Sequence, residues 1–283
     1  MKNSFEDKLE QVKQQSSKEI TPQAAVSSNS DIFSFVNPVE VVDIPSKGKF
    51  YPDGHPLKDK ESVEIRQMTA KEEDILTNQN YISKGIVLDK LLEALTLGKI
   101  DIKDLITGDK NAILIASRIL GYGKDYTFKY NYNGQEVEAS VDLSTLQEKQ
   151  LDETLLKKGT NDFSFTLPKS GNVITFKLLT HGDEKKIDAE IKGLQKVNPN
   201  TTTDVTTRMK YIITSVNGSR EQKDIREFVD NYLLAVEARA LREYYSKVSP
   251  DIDLKYYPED ADYTGEGITI PIGVNFFWPD AGV

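Results

Sequence analysis

The chain has no cysteine, two histidines, one tryptophan and three methionines among its 283 residues. The absence of thiols excludes disulfides and thiolate zinc sites, and permits a reducing compartment without requiring one. No apolar run approaches the ~20 residues that a membrane-spanning helix needs. The opening stretch, MKNSFEDKLEQVKQQSSKEI, holds no apolar signal-peptide core, so export by that route is not expected. Bases are the minority charge: 36 Lys and Arg stand against 45 Asp and Glu, a net charge of -9. That balance argues against a general nucleic-acid binder. There is no P-loop, no G-x-S-x-G, and no G-x-G-x-x-G that opens a helix. Gly121-Tyr122-Gly123 follows a predicted helix, so it reads as a stop signal and not as a phosphate cradle.

What remains is an ordinary globular composition, 38% hydrophobic and 29% charged, long enough for about two domains. Within it one junction occurs twice, as RQMTAKEED at 66–74 and KLLTHGDEK at 177–185. A Thr just before a helix can accept from an orphan backbone N–H, and an acid three residues later can reach back to the Thr N–H. Thr69 with Glu72, and Thr180 with Asp183, fit that box. Glu73 and Glu184 then sit where the helix dipole favours negative charge. Upstream, Val63 and Ile65 in one copy, and Ile174, Phe176 and Leu178 in the other, alternate as half-buried strands do. Further back, Ile44-Pro45-Ser46-Lys47-Gly48 parallels Leu167-Pro168-Lys169-Ser170-Gly171. From Pro to Thr the first copy spans 24 residues and the second 12, the excess being a Pro-, Gly- and Lys-rich loop. Two β–turn–β–α units are the reading. Coincidence is the alternative, because capped strand–helix junctions are common.

The pattern predicts an α+β fold: two related β-β-α units with a buried central helix, an added β-hairpin and a helical C-terminal half. Residues 1–38 read as a mobile polar tail. Residues 39–158 read as the first unit with the buried helix and hairpin, and 159–283 as the second unit, a helical segment and C-terminal strands. In the first unit helices are expected around 70–79 and 84–97. In TGDKNAILIASRILGYG, Asp109 is a candidate N-cap, and Gly121 and Gly123 are candidate stops. The helix between is apolar on nearly every side, so Arg118 needs a buried partner, for which the acids of 72–74 are candidates. Asn133-Gly134 between alternating runs predicts a type I′ hairpin. Helices are expected near 144–157, up to Val197, over 203–215 and over 221–247 with a break near Leu234-Ala235. Strands are expected around 253–257 and 267–274. Phe276, Phe277 and Trp278 close the chain, either on its own core or as anchors for a partner.

DIPSKGKFYPDGHPL, VEIRQMTAKEEDIL, GDKNAILIASRILGYGKDY and NFFWPD, as an ordered set from Val41 to Pro279, resemble the baseplate hub assembly proteins of T4-like contractile-tailed bacteriophages. The resemblance implies a non-enzymatic tail protein that assembles or forms part of the baseplate hub. Its partners would be other baseplate or tail hub proteins, with no nucleic acid and no cofactor. It would act in the host cytoplasm during assembly, and retention in the virion is left open. Proteins of this group carry C-x-x-C pairs at positions that here read YNYN, Tyr130–Asn133, and YPED, Tyr257–Asp260. Neither can hold zinc through thiolates, so hairpin and aromatic packing is expected in place of metal. His55 and His181 are far apart in sequence and fit loop and cap roles. Two other function classes stay open: a cytoplasmic peptide-binding adaptor, and a hub-associated cell-wall glycan hydrolase, which needs two carboxylates meeting in a cleft.

Overall fold

The computed structural model describes residues 38–156, 159–199, 203–258, 265 and 267–277. These fall in one compact unit, Asn37–Val283. The polar tail expected over 1–38, Pro38 apart, lies outside the described residues, as does Trp278.

The first β-β-α unit starts with β1 (Val39–Asp43) antiparallel to β2 (Ser62–Arg66), with Val42 opposite Val63. Val63 and Ile65 are buried and Glu64 between them is exposed, the period of two that a half-covered strand requires. Short helices α1 (Ala70–Leu76), α2 (Gln79–Ser83) and α3 (Val87–Leu95) follow. Val87, Leu91, Leu92 and Leu95 put one face of α3 in the core. The central helix α4 (Thr107–Tyr122) buries eight residues, Arg118 among them. Asp109 is not its N-cap: Ile106 holds that position without a side-chain cap, and Asp109 points from the first turn into the core. Gly121 is not a stop either. It lies within α4, where an added Cβ would meet Met68, and the helix ends at Gly123 with φ 83°.

The hairpin β3 (Asp125–Tyr132) and β4 (Gln135–Asp142) turns through Asn133 at φ 52° and Gly134 at φ 80°, the two positive angles of a type I′ turn. Among the described residues of 144–157 there is no α-helix. Single 3-10 turns at Leu143–Thr145 and Glu153–Leu155 stand there instead. Asp142 accepts from Ser144 N and Asp152 from Thr154 N, local bonds that compete with a helix. The intervening backbone pairs with a distant segment, Lys149 N donating to Asp251 O and Asp253 N to Gln147 O.

The second unit pairs β5 (Phe163–Thr166) with β6 (Val173–Phe176) and adds β7 (Ile213–Val216) in the order β5-β6-β7. β7 replaces the last turn of the helix expected over 203–215. The β-branched run Ile213, Thr214 gains two buried side chains, Ile213 and Ser215, by pairing with β6. Helices α5 (His181–Val197), α6 (Asp204–Ile212), α7 (Gln222–Asn231) and α8 (Ala235–Val248) complete the half, with the break at Leu234. The terminal strands are shorter than expected: β8 (Lys255–Tyr256) and β9 (Ile268–Thr269) hold two residues each. Val274–Phe277 forms a 3-10 turn that buries Phe276 and Phe277 together, which a strand would not do.

One hydrophobic cluster runs through both units, from Val42 and Ile44 to Phe276 and Phe277. The units meet where Ile106 bridges Thr180: His181 N donates to Leu105 O at 2.8 Å and Thr107 N to Leu179 O at 3.3 Å. Two glycines of α4 test this packing. A Cβ at Gly108 would strike the backbone of Pro250 and Asp251, whereas one at Gly121 would strike only the tip of Met68. Gly108→Ala is expected to cost ~2–3 kcal/mol by overpacking. Gly121→Ala is expected to cost less than ~1 kcal/mol, because Met68 swings aside and Ala favours the helix. Urea denaturation of the two variants checks the order.

Candidate functional site

The repeated junctions contain more than a cap. Thr69 Oγ1 accepts from Lys71 N, and Glu72 accepts from Thr69 N at 2.9 Å, forming the capping box of α1. Thr180 Oγ1 accepts from Asp183 N, and Asp183 accepts from Thr180 N, both at 3.3 Å, forming that of α5. In each copy a base three residues before the Thr pairs with the acid three residues after it. Arg66 Nη2 pairs with the fully buried Glu72, and Lys177 Nζ with Asp183 at 2.6 Å. The bases were in view in RQMT and KLLT, at one offset, but a surface charge before a helix gives no local sign of its partner.

A second correspondence was not visible in the sequence. The turn Ile44-Pro45-Ser46-Lys47-Gly48 is held by Asp109, which accepts from Ser46 N at 2.9 Å, Ser46 Oγ at 2.5 Å and Tyr51 Oη at 2.7 Å. The turn Leu167-Pro168-Lys169-Ser170-Gly171 is held by Glu237, which accepts from Lys169 N at 3.2 Å and Ser170 N at 2.6 Å. Asp109 is the third residue of α4 and Glu237 the third of α8, and both helices start from an apolar N-cap, Ile106 and Leu234, that caps nothing. Tyr51 Oη also accepts from Ile106 N at 3.1 Å, supplying the donor's partner that Ile106 lacks a side chain to provide. Burial pushes the Asp109 carboxyl up to about 6, against the bonds from Ser46 and Tyr51 that hold it down.

Arg118 does not meet the acids of 72–74. Its guanidinium donates to three backbone carbonyls: Phe276 O from Nε at 2.8 Å, Gly123 O from Nη1 at 2.6 Å and Asp125 O from Nη2 at 3.0 Å. It also lies 5.6 Å from the Tyr122 ring centre and 5.9 Å from that of Tyr126. A rigid fork with several donors can tie the end of α4, the start of β3 and the terminal 3-10 turn at once. Backbone carbonyls leave no residue-type trace in a sequence, whereas a carboxylate does.

Phe276 and Phe277 stack edge-on at 5.4 Å, and Phe276 meets Tyr126 at 4.8 Å, so both rings pack on the chain's own core. Beside the positions where the resemblance places thiolate pairs, Tyr130 of β3 lies 6.0 Å from Tyr256 of β8, and Phe128 lies 5.6 Å from Tyr256; Glu259 and Asp260 fall outside the described residues. Among the described residues no group of three or more His, Asp or Glu is placed to hold a metal ion. His55 stacks on Tyr51 at 4.2 Å and accepts from Leu57 N, and His181 Nε2 lies 2.7 Å from Asp89. No helix among the described residues is long and apolar enough to cross a membrane. Exposed apolar side chains among the described residues include Val39 and Val41 on β1, Leu194 and Val197 on α5, and Tyr232, Leu234 and Val236 where α7 meets α8.

A family model described as T4 bacteriophage base plate protein matches residues 38–231. No curated protein and no solved structure matches the chain.

Two measurements follow from this geometry. Arg118→Met keeps the packed stem but strands three carbonyls, and is expected to cost ~2–4 kcal/mol, with Arg118→Ala worse. Chemical denaturation reads both, and a cost for Arg118→Met no larger than a surface substitution would remove the tie. The Asp109 carboxyl titrates near 6 in the fold against 3.8 for an unperturbed group. The fold therefore holds the extra proton between these values, and this group's contribution to stability falls as pH rises from about 4 to about 6. Asp109→Asn is expected to flatten the stability–pH curve in that window, as followed by melting.

Proposed function

The chain belongs to the T4 bacteriophage base plate protein family, and from that premise we propose that it works in the baseplate hub through protein–protein contacts. It is a non-enzymatic baseplate protein. The observation that carries the reading is the family match over residues 38–231, and the fate of the charged groups supports it. Glu72, Asp109, Asp183 and Glu237 are spent on backbone and on neighbouring bases, and Arg118 on carbonyls. These groups brace a frame, each of the four carboxylates being held by backbone N–H groups. The hub is the finer part of the proposal, drawn from the ordered motifs. The partners are other baseplate or tail hub proteins, met in the host cytoplasm during assembly.

The surface offers apolar side chains for such contacts, with Val41 exposed by 66%, Tyr232 by 61% and Val236 by 55%. The chain, expressed with tail genes, is expected to sediment with baseplate precursors and to release no sugar from cell-wall material. Val236→Asp, at an exposed position, is expected to change stability by less than ~0.5 kcal/mol while reducing the fraction that sediments. A chain that never joins the precursors would overturn the proposal.

A further inference from the structure

Two turns of the chain are made by the same dipeptide. Asn133-Gly134 joins β3 to β4. Asn217-Gly218 follows β7, where Val216 N donates to Ser219 O and Ser219 N to Val216 O, both at 2.9 Å. The backbone angles agree: φ is 52° and 80° in the first turn, and 47° and 89° in the second. A positive φ at both central residues is the type I′ arrangement. Both asparagines are exposed, and a Cβ built on either glycine would meet nothing within 4 Å. Access therefore does not separate the two sites.

Their carboxamides do. Asn217 Oδ1 accepts from Val173 N at 2.9 Å, and Asn217 Nδ2 donates to Asn172 Oδ1 at 2.9 Å. The Asn217 backbone N–H donates to Val173 O at 2.7 Å, so the residue is tied to the start of β6 by side chain and main chain alike. The Asn133 carboxamide has no hydrogen bond among the described residues. The bond at that turn is made by its neighbours, Gly134 N donating to Asn131 Oδ1 at 2.9 Å, and it is solvent-exposed.

We propose that Asn133 is a site of spontaneous deamidation in the folded protein, and that Asn217, in an equivalent turn, is protected by its bonds to Val173 and Asn172. Gly134 N attacks Asn133 Cγ, and the new C–N bond closes a five-membered succinimide. The Gly134 N–H proton passes to solvent, and the side-chain nitrogen takes up a proton and leaves as ammonia. Water, the one co-reactant, then adds to either ring carbonyl. Opening at the Cγ–N bond gives an aspartate; opening at the other C–N bond gives an isoaspartate, whose main chain runs through Cβ. No electrons change hands. Attack requires the carboxamide to turn onto the backbone nitrogen. At Asn133 this breaks no side-chain hydrogen bond, and at Asn217 it breaks two. The product places a new carboxylate at the hairpin tip, near the exposed Lys129–Glu136 pair. An isoaspartate also lengthens a two-residue turn that holds Tyr132 opposite Gln135. The inference stands apart from the baseplate reading.

The test ages the full chain at mildly alkaline pH, which favours loss of the N–H proton, and follows both positions by peptide mapping. Asn133 is expected to convert at least about tenfold faster than Asn217, as two hydrogen bonds to be broken would account for. In urea, where neither turn survives, the two are expected to convert at similar rates. Asn172→Ala is expected to speed Asn217 about fivefold, as one lost bond would, whereas Asn172→Asp keeps the acceptor and keeps the protection. Asn133→Gly suits both positive φ angles and is expected to leave the melting point near normal while abolishing the conversion at that turn. Equal rates in the folded chain, or a faster Asn217, overturn the proposal. A preference for Asn133 that persists undiminished in urea also overturns it, because the difference would then lie in the local sequence and not in the fold. An Asn217 that stays equally slow in Asn172→Ala removes the protection by Asn172.

Discussion

Both halves of the molecule depend on a carboxylate reaching from the first turn of a later helix into a proline turn between two strands. Asp109 does this for the turn at Pro45, and Glu237 for the turn at Pro168. Each turn presents backbone N–H groups that the ladder of its own hairpin cannot use; the first turn is buried around Ser46, whereas Pro168–Gly171 of the second is exposed and only its acceptor, Glu237, is buried. A buried donor without an acceptor costs more than a typical hydrogen bond contributes. The acids meet that need and fix where α4 and α8 begin relative to the sheets. The apolar N-caps Ile106 and Leu234 become tolerable for the same reason, because the helix starts are positioned by tertiary bonds and not by their own caps.

The capped junctions divide the labour differently. Thr69 and Thr180 orient α1 and α5 locally, and the Arg66–Glu72 and Lys177–Asp183 pairs lock each strand exit to the helix it feeds. The Glu72 pair is the more consequential, since Glu72 is fully buried and an isolated carboxylate there would be expensive. Joined at the Ile106–Thr180 bridge, the two units leave their chemistry facing inward, which suits a part that holds shape while its neighbours assemble on it.

Features set by short-range geometry were legible in the sequence. The Asn133-Gly134 hairpin, the Thr-led helix starts, the buried face of α4 and the break at Leu234 all depend on residues within one turn of each other. Features set by distant partners were not. β7 exists because β6 needs a neighbour, although Ile213, Thr214 and Ser215 read as the end of a helix. The helix expected near 144–157 is lost to pairing with the 251–253 segment. Asp109 looked like a cap because an acid near a helix start usually is one, and its true partners lie 58 to 63 positions upstream.

Arg118 reaches Phe276 across 158 positions of chain. A ribosome delivers α4 long before it delivers Phe276, and through that interval the guanidinium has only the nearby carbonyls of Gly123 and Asp125. The face of α4 that will be covered by the terminal turn stays open over the same interval, and contacts this remote are slow to form. The interior around α4 is therefore closed only by the most distant of its three carbonyls. Until that contact forms, the guanidinium is held by two of its three carbonyls, so the pace at which the remote turn docks sets when this part of the fold becomes rigid.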